Sequence, residues 1–330
     1  MGQVDPLFGR RLRELREAAG LSLRDMYRLS RVSKSLLSEY ENGRRRPSAE
    51  RVELLDECLD AGGALAGMVP EPAPSAADAD RIERAAASPR LVDRQTVEAL
   101  AGVLASHRRL DDTMTAGELW PIAAPSHDLV VGLAHDVRGR HADALRTVAA
   151  ESLQFLGWLH SQLGHYARAD RLWSESATRA ESVDAASLAS QSRRFRGSLA
   201  WERKRPATMV QHYQHAAATP GAGRLHQIDA TIRTAHGLAL MGEHRDAVAV
   251  LHQAQDTITA ADDTSPDEFA YWLTPTWLRF PLGLALLELG QPAEAAQNLS
   301  AGLAGLPDDQ RETNWTTQYK RALADAQGAT

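Results

Sequence analysis

The stretch GLSLRDMYRLSRVSKSLLSEYENGRRRPS, Gly20 to Ser48, decides how this chain folds. Three serines in it stand where helix starts need side-chain acceptors. Ser22 caps a short helix that places Leu23, Met26 and Leu29 on one face. Ser33 caps a second helix, Lys34 to about Glu41, which stops at Asn42-Gly43. Ser48, after Pro47, opens a third, in which Val52, Leu55 and Leu59 line up. Upstream, Phe8, Leu12 and Leu15 recur at i, i+4 and i+7 and end at Gly20, a natural C-terminal cap. The pattern is a run of short helices joined by tight turns. Alternating strand patterns are scarce along the whole chain, so the expected class is all-α.

Charge separates this head from the rest. The 330 residues carry a formal net charge of −6, yet Phe8 to Ser48 holds eleven Arg or Lys against five Asp or Glu. A basic head on an acidic body fits a chain whose first segment alone approaches a polyanion. No run of eighteen apolar residues occurs, and the opening MGQVDPLFGRRLREL lacks the apolar centre of a signal peptide. The expectation is a soluble, cytoplasmic protein found on the nucleoid and not at a membrane. The single cysteine, Cys58, rules out an intrachain disulfide and reads as a small apolar helix residue. Only three lysines and three asparagines occur in the chain, an Arg- and Ala-heavy usage that fits a GC-rich genome.

The segment VPEPAPSAADAD, Val69 to Asp80, has three prolines and no apolar period, and reads as linker. The expected division is a DNA-binding domain over 1–68, a linker over 69–90 and a helical domain over 91–330. In that last part the chain repeats itself. GHYARADRLWSESA begins at Gly164, GEHRDAVAVLHQA at Gly242 and GQPAEAAQNLSAG at Gly290. Five residues after each glycine comes a small residue (Ala169, Ala247, Ala295), and four later a large one (Trp173, Leu251, Leu299). A poorer copy puts Lys204, Met209 and Tyr213 at the same positions. A glycine turn joins two antiparallel helices, the small residue lets them approach, and the large one fills the space towards the next pair. Such hairpins must stack to bury their faces.

The four copies, over roughly Glu151 to Pro307, resemble tetratricopeptide repeats. Two carry the Leu-Gly pair of the first helix, Leu156-Gly157 and Leu282-Gly283. Spacings of 40, 38 and 48 residues exceed the usual 34, so the repeats are degenerate. The head resembles the lambda-repressor/Cro-like, or Xre-type, regulators through Gly20-Leu21-Ser22, Val32-Ser33, Ser35, Ser38, Glu41-Asn42-Gly43 and Pro47-Ser48. That resemblance implies a five-helix bundle whose third helix enters the major groove. The combination of such a head with a repeat body is common among regulators of GC-rich actinobacteria.

In the helix from Lys34, Leu37 and Tyr40 share the inward face. Lys34, Ser35, Ser38 and Glu39 fall on the other side and are the expected base contacts, with lysine suited to guanine and glutamate to cytosine N4. Arg24, Asn42, Arg44, Arg45 and Arg46 are placed for phosphates. The family often has glutamine at Leu23 and glycine at Arg31, so Arg24 takes over a backbone contact and the turn geometry is expected to shift slightly. In the repeats, the family pattern puts Gln154, Trp158, Arg194, Ser198, Ile232 and His236 on a ligand-facing groove. The aromatic-rich SPDEFAYWLTPTW, opened by a capping box of Ser265 with Glu268, adds Trp272.

Similar head-and-repeat proteins include peptide-pheromone receptors, many of which hold the peptide backbone with asparagines. This chain has no asparagine between Asn42 and Asn298. The effector therefore stays open between a peptide, a small molecule and a protein partner. The twelve histidines, including His212 with His215 and His160 with His165, form no HExxH or Cys/His set. No phosphate-cradling glycine loop and no GxSxG elbow occurs. No metal, no cofactor and no catalysis is expected. The leading reading is a homodimeric regulator that binds operator DNA. Its rivals are a protein-interaction scaffold and an antitoxin-like protein in which the helix-turn-helix is secondary.

Overall fold

A computed structural model describes residues 6–42, 47, 49–62, 64–65, 76–112, 114–258, 266–306, 311 and 314–328. Sixteen α-helices and short 3-10 turns make up the regular structure of these residues, with no strand among them. The chain divides into two compact units, Met1–Ala73 and Pro74–Thr330.

The first unit contains α1 (Pro6–Ala18), α2 (Leu23–Ser30), α3 (Lys34–Glu41) and α4 (Ala49–Cys58). Their shared core is Phe8, Leu12, Met26, Val32, Leu37, Tyr40, Val52, Leu55 and Leu65. Ser22 and Asp25 close a reciprocal capping box at the start of α2, and the Ser33 hydroxyl accepts from the Leu36 N–H at the start of α3. Gly20 ends α1 in the left-handed region at φ +68°. Leu29 departs from the expected inward face of α2: it is 53% exposed, and Ser30 takes the buried place. Burial of Ser30 is tolerated because its hydroxyl donates to the Met26 carbonyl at 2.7 Å. The fifth helix implied by the family resemblance is not seen among the described residues; Ala64 and Leu65 lie in a turn. The Ser48 cap, the Ser265–Glu268 capping box and the repeat end at Pro307 lie outside the described residues or side chains.

The second unit begins inside the stretch read as linker. Residues Ala76–Ala87 form α5, so the expected linker over 69–90 is helical in its second half. Alanine carries the highest helix propensity, and Ile82 and Ala85, one turn apart, pack α5 onto the following core. Five antiparallel hairpins follow: α6 (Arg94–Asp111) with α7 (Ala116–Asp136), α8 (Ala142–Gln162) with α9 (Tyr166–Glu181), α10 (Ala186–Glu202) with α11 (Pro206–Ala217), α12 (Arg224–Leu240) with α13 (His244–Ile258), and α14 (Pro275–Glu288) with α15 (Pro292–Ala304). Helix α16 (Thr317–Gly328) packs on α15 and α14. The array thus starts one hairpin earlier than the sequence repeats. Successive first helices touch one another, α8 with α10, α10 with α12 and α12 with α14, as stacked tetratricopeptide-like hairpins do.

The repeat turns behave as their spacing requires. Gly164, Gly242 and Gly290 all adopt positive φ, between +73° and +80°, and Lys204 is held at +54° in the degenerate copy. Within the last four hairpins, α8 to α15, a small residue on the first helix faces a large one sixteen residues later. A Cβ at Gly157 would lie 2.6 Å from the Trp173 indole, one at Gly197 2.8 Å from Tyr213, and one at Gly283 2.6 Å from Leu299. In the remaining hairpin Ala235 and Leu251 are buried in one core at the same separation. Gly197 lacks a preceding leucine, so the Leu-Gly signature misses it although the contact is the same.

Candidate nucleic-acid interface and groove

Helix α3 is fixed from below. Leu37 and Tyr40 are 1% and 0% exposed. Glu41, in its last turn, accepts from Arg16 of α1 through Nε at 2.6 Å and Nη2 at 3.0 Å, and Arg13 Nε adds a contact at 3.3 Å. Arg16 Nη1 also donates to the Leu21 carbonyl at 2.8 Å. Glycine at position 9 permits this approach, because a Cβ there would lie 2.5 Å from the Tyr40 carbonyl oxygen. The Arg16 guanidinium therefore ties α1 and the α1–α2 turn to Glu41 of α3. The pattern of apolar residues gave no sign of it.

The outward side of α3 carries the expected residues. Lys34 and Ser35 are exposed, Ser38 and Glu39 half-buried, and Arg24 on α2 is exposed. Lys34 makes no ion pair with any described residue. Ser35 Oγ lies 3.1 Å from Ser33 Oγ. Asn42 is held on both sides: Arg13 Nη2 donates to its Oδ1 at 2.9 Å, and its Nδ2 donates to the Ser38 carbonyl at 2.7 Å and reaches Ser38 Oγ at 3.2 Å. Arg44, Arg45 and Arg46 lie outside the described residues. Arg31 adopts φ +59°, and its N–H donates to the Tyr27 carbonyl, so the turn before α3 keeps the left-handed geometry that glycine would take.

In the second unit, three of the seven expected groove residues come together. Trp158 of α8 lies 5.7 Å from the Phe195 ring of α10, Phe195 stacks on Trp272 at 6.4 Å, and the Arg194 guanidinium lies 5.7 Å from the Trp272 ring. The Trp158 indole donates to Asp111 Oδ2 at 2.7 Å. Burial pushes the Asp111 carboxyl up to about 6 despite that bond. Tyr271 donates to Asp112 at 2.6 Å, so the segment before α14 reaches back to the end of α6. Gln154, one turn before Trp158, is buried, and its Nε2 has no hydrogen-bond partner among the described residues.

The other groove assignments meet a packed interior. Ile232 is 0% exposed and belongs to the core with Leu251 and Leu278. His236 is 4% exposed beside Trp201, and burial pushes its imidazole down to about 3. Both correct the expectation of an accessible groove there, because α12 is covered by α10, α11, α13 and α14. The Ser198 hydroxyl is engaged with Tyr213 Oη at 2.7 Å.

Arg194 does more than line a surface. Its Nε donates to Asp229 Oδ2 at 2.7 Å, and Arg233, one turn after Asp229 on α12, completes a buried triad. Burial of Asp229 works against its charge, but the two arginines outweigh that and hold its carboxyl below the usual range. Arg194 Nη1 also meets His226 Nδ1 at 3.1 Å, while His226 Nε2 meets Asp267 Oδ2 at 2.9 Å. Sequence spacing offers only the Asp229–Arg233 i, i+4 pair as a sign of this network. No group of three or more metal-ligating side chains occurs among the described residues, and no helix among them is long and apolar enough to cross a membrane.

Known proteins resemble this chain in two ways. A "Putative HTH-type transcriptional regulatory protein" of Methanothermobacter thermautotrophicus is 46% identical over 52 residues, a stretch that covers 16% of this chain and 17% of that protein. Among solved structures, Bacillus thuringiensis PlcR in complex with the peptide PapR7 and DNA superposes with a TM-score of 0.34 at 9% identity, covering 99% of both chains. The apo form of the competence regulator ComR from Streptococcus vestibularis gives 0.32 at 12%, covering 98% of both. Scores of this size assign no residue of this chain to a counterpart in either. The profile of the family described as "Helix-turn-helix domain" matches residues 7–66, and the first unit of this chain is a helix-turn-helix domain.

Proposed function

We propose that this chain is a sequence-specific transcriptional regulator that binds operator DNA through α3. The observation that carries this is the two-sided character of that helix: Leu37, Tyr40 and Glu41 are locked inward, and Lys34, Ser35, Ser38 and Glu39 are left on the outer side. A short helix held this way fits a major groove about 12 Å wide. Arg24, Asn42, Arg44, Arg45 and Arg46 hold phosphates, and the first four outward residues read bases. Two copies form the active species, with half-sites about 34 Å apart. The hairpin array dimerises and carries the effector seat. We place that seat around Trp158, Phe195, Arg194 and Trp272, with Gln154, whose Nε2 has no hydrogen-bond partner among the described residues, one turn before Trp158.

Genomic fragments selected by the purified protein supply the operator, and mobility shifts on it test the interface. Arg44→Ala with Arg45→Ala weakens binding to all duplexes and lowers the salt slope by about 0.9 per lost phosphate contact. Ser38→Ala or Glu39→Ala changes sequence preference. Equal binding by wild type and the double arginine variant rejects this surface.

A further inference from the structure

A cavity of about 770 Å³ in the second unit is lined by none of the seven expected groove residues. It opens between the turn into α9, the end of α10 and the start of α11. Arg168, Arg171, Arg196, Arg203 and Arg205 line it with Asp170 as the one acid, a formal excess of four positive charges in a domain that is otherwise acidic. Only Arg196 is neutralised, donating to both Asp170 oxygens at 2.7 and 3.3 Å. Arg168, Arg171 and Arg205 are exposed and make no ion pair with any described residue, and Arg203 rests over the Tyr166 ring at 5.2 Å.

Asp170 offsets one of these five like charges, and an anion in the cavity lowers the mutual repulsion of the rest. The backbone adds to it. Helices α9 and α11 both begin at this cavity, at His165 and Arg205, with no side-chain cap and no acidic residue in the first turn. Guanidinium forks together with helix N-termini match phosphate oxygens, and the volume is that of a small-molecule site. Leu199 and Ala200, both buried, give it an apolar floor.

We propose that this cavity binds a small phosphorylated metabolite with at least two phosphate charges, in the chemical class of a nucleoside diphosphate or pyrophosphate. Occupancy of the cavity is measured on the protein itself, so the proposal stands or falls separately from the DNA-binding reading.

Calorimetric titration of the full chain with pyrophosphate, ADP and adenosine tests it. Pyrophosphate and ADP bind saturably and adenosine does not. Tighter binding of ADP than of pyrophosphate supports the proposal with a nucleoside over the apolar floor; equal binding supports it with the bare diphosphate as the group recognised. Arg168→Ala with Arg205→Ala lowers affinity by about tenfold or more, whereas Arg245→Ala, outside the cavity, leaves it unchanged. Thermal unfolding at the wild-type temperature shows that the double variant is folded. Failure of both pyrophosphate and ADP to bind at millimolar concentration overturns the proposal, as does binding that ignores the double substitution. So does a double variant that loses duplex affinity alone, which makes the face a DNA contact.

Discussion

Arg16 and Glu41 stand twenty-five residues apart and meet in a two-pronged ion pair, 2.6 and 3.0 Å, that joins α1 to the last turn of α3. Both are nearly buried, at 9% and 7% exposure. A pair this enclosed adds little over a well-packed apolar pair, but losing one partner strands the other charge. Arg16→Met therefore costs about 2–3 kcal/mol, with Arg13 limiting the loss, and Arg16→Met with Glu41→Leu recovers at least half. Hydrogen exchange of α1 and α3 peptides in the full chain reads this directly. Equal protection in wild type and Arg16→Met would show that the apolar core alone holds α3.

Gly157 and Trp173 make a second prediction, in which packing competes with helix propensity. Alanine is favoured over glycine in a helix by about 1 kcal/mol. At Gly132 of α7, where a Cβ meets nothing within 4 Å, Gly132→Ala gains about that amount. At Gly157 the new methyl falls 2.6 Å from the Trp173 Nε1 atom, whose N–H donates to the Gln154 carbonyl at 3.0 Å. Gly157→Ala therefore destabilises by about 1–2 kcal/mol. Thermal unfolding of the two variants should move in opposite directions; a shared upward shift means that the hairpin opens without cost.

These cases mark how far the amino-acid order carries. Helix starts at Ser22 and Ser33, the stop at Asn42, the inward Leu37 and Tyr40, and the repeat turns at Gly164, Gly242 and Gly290 follow from local chemistry, and local chemistry is written in adjacent residues. Arg16–Glu41, Arg194–Asp229 and Tyr271–Asp112 are long-range polar contacts, and no periodicity announces them. Arg31 shows the limit from the other side. The sequence flagged a non-glycine residue in a glycine turn, yet the bond from its N–H to Tyr27 and the packing on either side impose the left-handed geometry regardless. Ile232 and His236 lie in the interior and not on a groove, because α12 is covered on several sides, which a family's repeat register does not reveal.

His236 predicts sensitivity to acid. Burial, helped by the nearby Arg233 charge, pushes its imidazole down to about 3, below the ordinary 6.5. The folded state therefore binds a proton less readily than the unfolded chain. Its stability contribution is complete above pH 6.5 and is lost as pH falls from there towards 3, by about 1.4 kcal/mol per pH unit. His127, also pushed down to about 3 by burial, adds a second loss over the same window. His236→Phe flattens the acid limb of a stability-against-pH curve by about one proton's slope. An unchanged slope would mean that the unfolded state does not take up that proton in excess.

Asp111 runs the opposite way, which separates it from the histidines in the same titration. Burial, only partly offset by the Trp158 N–H, raises its carboxyl from 3.8 to about 6. The folded state holds this proton more tightly than the unfolded chain, so the contribution is complete below pH 3.8 and is lost as pH rises through about 6. At pH 7 the ionised group is a liability of up to about 3 kcal/mol, reduced by what water reaches it. Asp111→Asn keeps an oxygen to accept from Trp158 at 2.7 Å and removes the charge. The variant is therefore more stable than wild type by about 2 kcal/mol at pH 7, and the two converge near pH 4. Denaturant unfolding at both values measures the difference. A constant gap would assign the effect to packing; a gap that closes on acidification assigns it to the half-buried carboxylate that accepts from Trp158.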